Sequence, residues 1–203
     1  MRSALGRHRF AKLGALTNRS SRRRFAARLN SGVRHLLKQI RSFFQNQDKT
    51  SFLTQVVWNF LFALASSFSL ALIAYLIANA IGATWFTSGT SSAEQLDTLT
   101  VLGVIALAPL LETLLLILGL KFCELLGLGF FRAAAVSAIG WAILHGFLMP
   151  IRFFGSVISF FVFGCAYLAW RRQSFSKGFW AAALPHGLVN ATVVLVAAAG
   201  SNV

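Results

Sequence analysis

From residue 52 onward the chain is a succession of apolar runs, each about as long as the hydrocarbon core of a bilayer requires. The runs fall at about 53–81, 98–120, 131–149, 153–170 and 179–200, with Pro150 marking the break between the third and fourth. Inside a bilayer no water meets the backbone, so a single segment can satisfy its own N–H and C=O groups only as an α-helix. The expected fold is therefore all-α, a polytopic membrane bundle of about five transmembrane helices with a basic N-terminal extension. Residues 1–50 form the basic region and residues 51–203 the transmembrane domain. A soluble fold is disfavoured, because a chain 57% hydrophobic and 12% charged would leave much apolar surface in water.

The net charge of +14 suggests nucleic acid until its distribution is followed. All but six of the 19 Lys and Arg precede residue 50; the six are Lys121, Arg132, Arg152, Arg171, Arg172 and Lys177. From Phe25 to Phe44 the apolar residues Leu29, Val33, Leu36, Leu37, Ile40, Phe43 and Phe44 recur at helical spacing, with Arg28, Arg34, Lys38 and Arg41 elsewhere. Such a basic amphipathic helix suits anionic lipid headgroups. An Arg-rich, acid-poor leader is also the composition of an organellar transit peptide. Arg22–Arg24 without interleaved aromatics is weak ground for nucleic-acid binding.

Positive charge stays on the cytoplasmic side of a membrane, which orients the runs. The N-terminal region is placed inside, and the loop 82–97, with Glu94 and Asp97 and no Lys or Arg, outside. Lys121 and Arg132 bracket one inner loop, Arg171, Arg172 and Lys177 another, and the C-terminus emerges outside; Arg152 alone breaks the pattern. The expected location is a multi-pass bacterial or archaeal plasma membrane, with an organellar membrane as the alternative. Cys123 and Cys165 lack CxxC spacing and read as packing residues. Glu124 reads as a solvated loop charge.

Ionisable groups in hydrocarbon are costly and are functional suspects by default. Of five acidic residues only Glu112 lies deep in a run, and both histidines beyond the basic region, His145 and His186, lie in runs too. Asn190 follows His186 by one turn on the same helix face. Counted from Lys121 and Lys177, Glu112 and His186 each lie about 13 Å from the inner side, with His145 about 6 Å deeper when counted from Arg132. Pro109 and Pro185 each precede a suspect residue and open the helix there.

Together, Pro109-x-x-Glu112, Trp141-x-x-x-His145 and His186-x-x-x-Asn190 resemble the motifs of the CPBP (Abi) family, whose members include type II CAAX prenyl endopeptidases. The likeness covers about residues 98–195. Two positions depart from the family pattern: Thr113 stands where a second glutamate is usual, and Ile117 where an arginine is usual. The resemblance implies an intramembrane endopeptidase that cleaves a membrane-associated or prenylated peptide or protein near the cytoplasmic leaflet. Glu112 would act as general base on water, His145 would orient that water or help hold a metal, and His186 and Asn190 would stabilise the oxyanion. Glu112, His145 and His186 would also be the ligands of a zinc ion, if the enzyme uses one; metal-free glutamate catalysis is equally compatible. The alternative is a catalytically impaired CPBP-like scaffold or bacteriocin-immunity protein. A proton-relaying transporter fits less well, since the runs contain no paired repeat.

Overall fold

The structure, a computed structural model, describes residues 34–35, 38–86 and 97–200. The chain divides into two compact units, Met1–Phe43 and Phe44–Val203. In the first, residues 34–35 and 38–43 are helical. The N-terminal half of the expected amphipathic stretch, with Arg28, Leu29 and Val33, lies outside the described residues.

The second unit is an all-α bundle of five helices long and apolar enough to cross a membrane, and no strand occurs among the described residues. The helices are α1 Phe52–Ala80, α2 Thr98–Leu125, α3 Phe130–Leu148, α4 Pro150–Trp170 and α5 Phe175–Gly200. Their ends follow local chemistry. Asp97 caps α2 by accepting the Thr100 N–H at 2.7 Å, and this bonding holds its carboxyl below the ordinary carboxylate value. At the ends of α1 and α2 the chain turns through Gly82 (φ 69°) and Gly127 (φ 75°), with the paired backbone bonds of a Schellman stop. Met149 is extended because Pro150 follows it, and Pro150 opens α4 where its missing N–H costs nothing. Ser174 accepts the Lys177 N–H at 3.1 Å, so α5 starts four residues before the expected position.

Helix α4 is the centre of the bundle. About three-fifths of its most apolar window is buried (61%), against 11–28% for the other helices. From Val162 to Trp170 every residue is buried, whereas Pro150–Ile158 stays partly exposed. Between helices in lipid there is little hydrophobic driving force, so close van der Waals packing must hold them. Ala133, Ala134, Ala138 and Ala142 on α3 supply it, letting α3 lie close on α4 where Gly164 faces Ala134. The outward faces of α1 and α2 carry exposed Leu, Ile and Phe, as lipid contact requires.

One end of the bundle is basic. There Arg171 forms a two-pronged ion pair with Glu124, Arg172 donates to the Gln45 carbonyl at 2.9 Å, and Phe52 meets Trp170 edge to face. Glu124 is thus paired rather than free, and it ties the end of α2 to the end of α4. Nearby, Gln47 and Asn59 exchange side-chain amide bonds at 3.2 and 3.1 Å, both residues buried, with Gln55 and Thr50 extending the group. Removing one amide orphans the other away from water. Asn59→Ala should lower unfolding stability by about 1–3 kcal/mol, read as a reduced thermal midpoint in detergent; an unchanged midpoint would show the amide pair contributes nothing.

Candidate active site

Three helices bring Glu112, His145 and His186 together at mid-depth. The Glu112 Oε2 lies 3.3 Å from His186 Nε2 and 3.9 Å from His145 Nε2. Phe160, ten residues from either end of α4, packs on both imidazoles with ring centres 5.2 Å away. Half of a helix of that length is about 15 Å, the midplane of a typical bilayer core. The site is therefore deeper than the counts from Lys121 and Lys177 place it. Those counts start too late, because α2 runs on to Leu125 and α5 begins at Phe175. Measured from Leu125 and Phe130, Glu112 lies about 19.5 Å and His145 about 22.5 Å along their helices, so about half of the offset between that pair disappears.

Each histidine is oriented by its surroundings. The His145 Nδ1 lies 2.9 Å from the Trp141 carbonyl one turn earlier. A carbonyl only accepts, so in the neutral ring the proton is on Nδ1 and the Nε2 lone pair faces Glu112. Two acceptors 3.9 Å apart repel one another unless a donor stands between them, and the Glu112 Oε2 is buried with no hydrogen-bond partner among the described residues. His186 is 4% exposed, stacked on Phe163 at 5.0 Å, with its Nε2 turned to Glu112 and its Nδ1 without a hydrogen-bond partner. The Trp141 ring lies flat on Phe160 at 5.0 Å, so the aromatic one turn before His145 braces the wall of the site.

A cavity of about 550 Å³ adjoins the pair and is lined by His145, His186 and Asn190 together with Ser67, Ser159 and Phe160. Glu112 is not among its lining residues, although its carboxylate lies 3.3 and 3.9 Å from the two imidazoles that are. Ser67 and Ser159 share a buried hydrogen bond of 2.8 Å that joins α1 to α4 across the cavity wall. Sequence reasoning singled out neither serine, because their meeting depends on how α1 packs.

Asn190 has a definite partner. Residues Gly103–Leu107 form a π turn in α2, in which the Ala108 N–H bonds to the Gly103 carbonyl. In that register the donor to the Val104 carbonyl would be residue 109, a proline with no N–H. Asn190 Nδ2 takes its place, donating to Val104 O at 3.0 Å. One amide hydrogen is thus committed to repairing α2, and the other remains for the cavity. Asn190→Ala should lose about 1–3 kcal/mol of stability, measured by thermal unfolding in detergent; an unaltered midpoint would mean the Val104 bond is dispensable.

The positions that depart from the CPBP pattern face away from this chemistry. Thr113 is fully buried with its hydroxyl unpartnered, Ile117 is buried in the core, and neither lines the cavity. For zinc, tetrahedral ligands about 2.0–2.2 Å from the ion stand about 3.3–3.5 Å from one another. The Glu112–His186 separation matches this, the Glu112–His145 separation of 3.9 Å exceeds it, and no three His, Cys, Asp or Glu among the described residues are placed to hold one ion. The donor set does not fit a zinc ion as it stands. Compared with protein-family models, curated proteins and solved structures, the chain has no significant match.

Proposed function

We propose that the chain is an intramembrane endopeptidase that hydrolyses a peptide bond of a membrane-associated substrate with water activated by Glu112 and His145. One observation carries the reading: a carboxylate within 3.3 and 3.9 Å of two imidazoles, on three helices, at mid-depth beside a cavity large enough for a peptide segment. Packing alone gives a membrane protein no reason to gather three such groups, each expensive in hydrocarbon. The CPBP resemblance of the sequence points to the same residues and to prenylated, CAAX-type peptides as one substrate class.

The chemistry follows from the acceptor pair. A water held between Glu112 Oε2 and the His145 Nε2 lone pair has both hydrogens engaged and a lone pair free. As that oxygen attacks a carbonyl carbon presented from the cavity, its proton passes to Glu112. The carbonyl oxygen, becoming an oxyanion, needs donors fixed in a dry site. The free amide hydrogen of Asn190 and the ring N–H of His186 are the nearest candidates. Glu112 then returns the proton to the departing amine, which restores the starting state.

A second reading, a catalytically impaired scaffold or immunity protein with the same fold, draws on the position of Glu112 outside the cavity lining and on the apolar Ile117. The two separate cleanly. The purified protein is incubated with a mixed peptide library, and products are identified by mass spectrometry, beside His186→Ala. Cleavage by the parent that the variant loses supports the peptidase. A parent that cleaves nothing, or a variant that cleaves as well, moves the scaffold ahead. Chelator sensitivity of any activity addresses zinc separately.

A further inference from the structure

We infer that the cavity takes its substrate from the end of the bundle opposite the basic loops, and that Arg152 there receives a carboxylate of an otherwise apolar peptide. The peptide nature of the occupant rests on the peptidase reading; the direction of access does not. At the basic end the way is shut, because α4 is buried without interruption from Val162 to Trp170. In the other direction the cavity continues from His186 past Ser156 and Gly155 to Ile151 and Arg152, at the start of α4. The first half of α4 stays partly exposed over this stretch, and Gly155 leaves open space where a Cβ would stand.

Arg152 is the one Lys or Arg after residue 50 that breaks the charge asymmetry of the chain. It is exposed, it lines the cavity, and no carboxylate of the described residues lies within ion-pair distance. A guanidinium beside an apolar channel favours an anionic group that brings apolar surface with it. Phe160, at the imidazoles, is eight residues further along α4, or about 12 Å. An extended peptide covers that distance in about four residues. An acidic side chain held by Arg152 would therefore lie about four residues from the bond presented to Glu112 and His145.

The test reads binding and turnover separately. Ser156→Cys is placed in a full-length chain with Cys123→Ala and Cys165→Ala, and reconstituted in sealed phosphatidylcholine vesicles. A membrane-impermeant maleimide is added from one face, with the face of the N-terminus fixed by an accessible tag. Labelling is repeated with an apolar decapeptide carrying one Glu, with its Gln counterpart, and with Arg152→Gln. The expected result is labelling from the face opposite the N-terminus, protection by the Glu peptide at about tenfold lower concentration than by the Gln peptide, and loss of that tenfold difference in Arg152→Gln. Labelling only from the N-terminal face overturns the proposal, as does equal protection by the two peptides. Arg152-dependent protection by phosphatidylglycerol vesicles without any peptide also overturns it, in favour of a lipid headgroup. A chain that shows the expected protection but never cleaves the Glu peptide sinks the peptidase reading while leaving access and charge selection standing.

Discussion

Glu112→Gln should lower peptide-bond cleavage by about 10²–10⁴-fold while leaving the bundle folded, because the amide keeps the shape of the carboxylate and loses its ability to take a proton. His186 keeps its place, since Phe160 and Phe163 hold its ring and the Gln amide fills the space of the carboxylate 3.3 Å from its Nε2. The water between Glu112 and His145 loses its proton acceptor while keeping a hydrogen-bond partner. The measurement is the cleavage rate of one library-derived peptide by the parent and the variant, with thermal midpoints recorded on the same preparations. A variant that unfolds at the parental temperature and cleaves at the parental rate removes Glu112 from the mechanism. The double variant with His145→Ala should lose little more than Glu112→Gln alone, because both changes disable one water.

Gly187→Val should disturb the packing of α5 on α2 directly. A Cβ at residue 187 would stand 3.0 Å from the Ile105 carbonyl oxygen, an atom of the α2 backbone that no rotamer change can move aside. That approach is what allows Asn190, less than one turn on, to reach Val104. In lipid the two helices are held by packing and hydrogen bonds, so a forced separation has nothing to offset it. The variant should lose about 1–3 kcal/mol of stability, and its activity should fall because α2 carries Glu112 and α5 carries His186. Gly140→Ala is the matched control. No atom lies within 4 Å of its built Cβ, so the thermal midpoint should hold or rise slightly. Equal behaviour of the two variants would show that the α2–α5 approach is not tight.

The five spans were legible because their signal, about 20 apolar residues in a row, is the condition for crossing hydrocarbon. Their ends were less so. Lys121 stops the apolar count but not the helix, since a lysine stem can lie along the bundle and Glu124, one residue from the end, is neutralised by Arg171. Glu112, His145 and His186 stood out as ionisable groups in apolar surroundings, and the structure places them in contact. What spacing could not convey is which backbone each residue would meet. Asn190 shares a face with His186, yet its partner is a carbonyl freed by a π turn 86 residues earlier. Pro109 marked a local opening of α2; the shift of hydrogen-bond register just before it had no separate sign. Ser67 with Ser159 and Gln47 with Asn59 are ordinary polar residues until two helices are laid together, and for that reason they escaped notice.

The central place of α4 sets the order in which the chain becomes itself during synthesis. Helix α1 emerges first and packs chiefly on α4 and α5, the last two to appear. Until α4 enters, α1 to α3 have no common axis to assemble around. The cluster of Glu112, His145 and His186 likewise stays incomplete until α5 delivers His186. A nascent chain halted in the membrane before that point holds Glu112 and His145 but no third partner. It also lacks Asn190 to close the broken turn of α2. On the peptidase reading proposed above, competence to cleave would be withheld until α5 is in place.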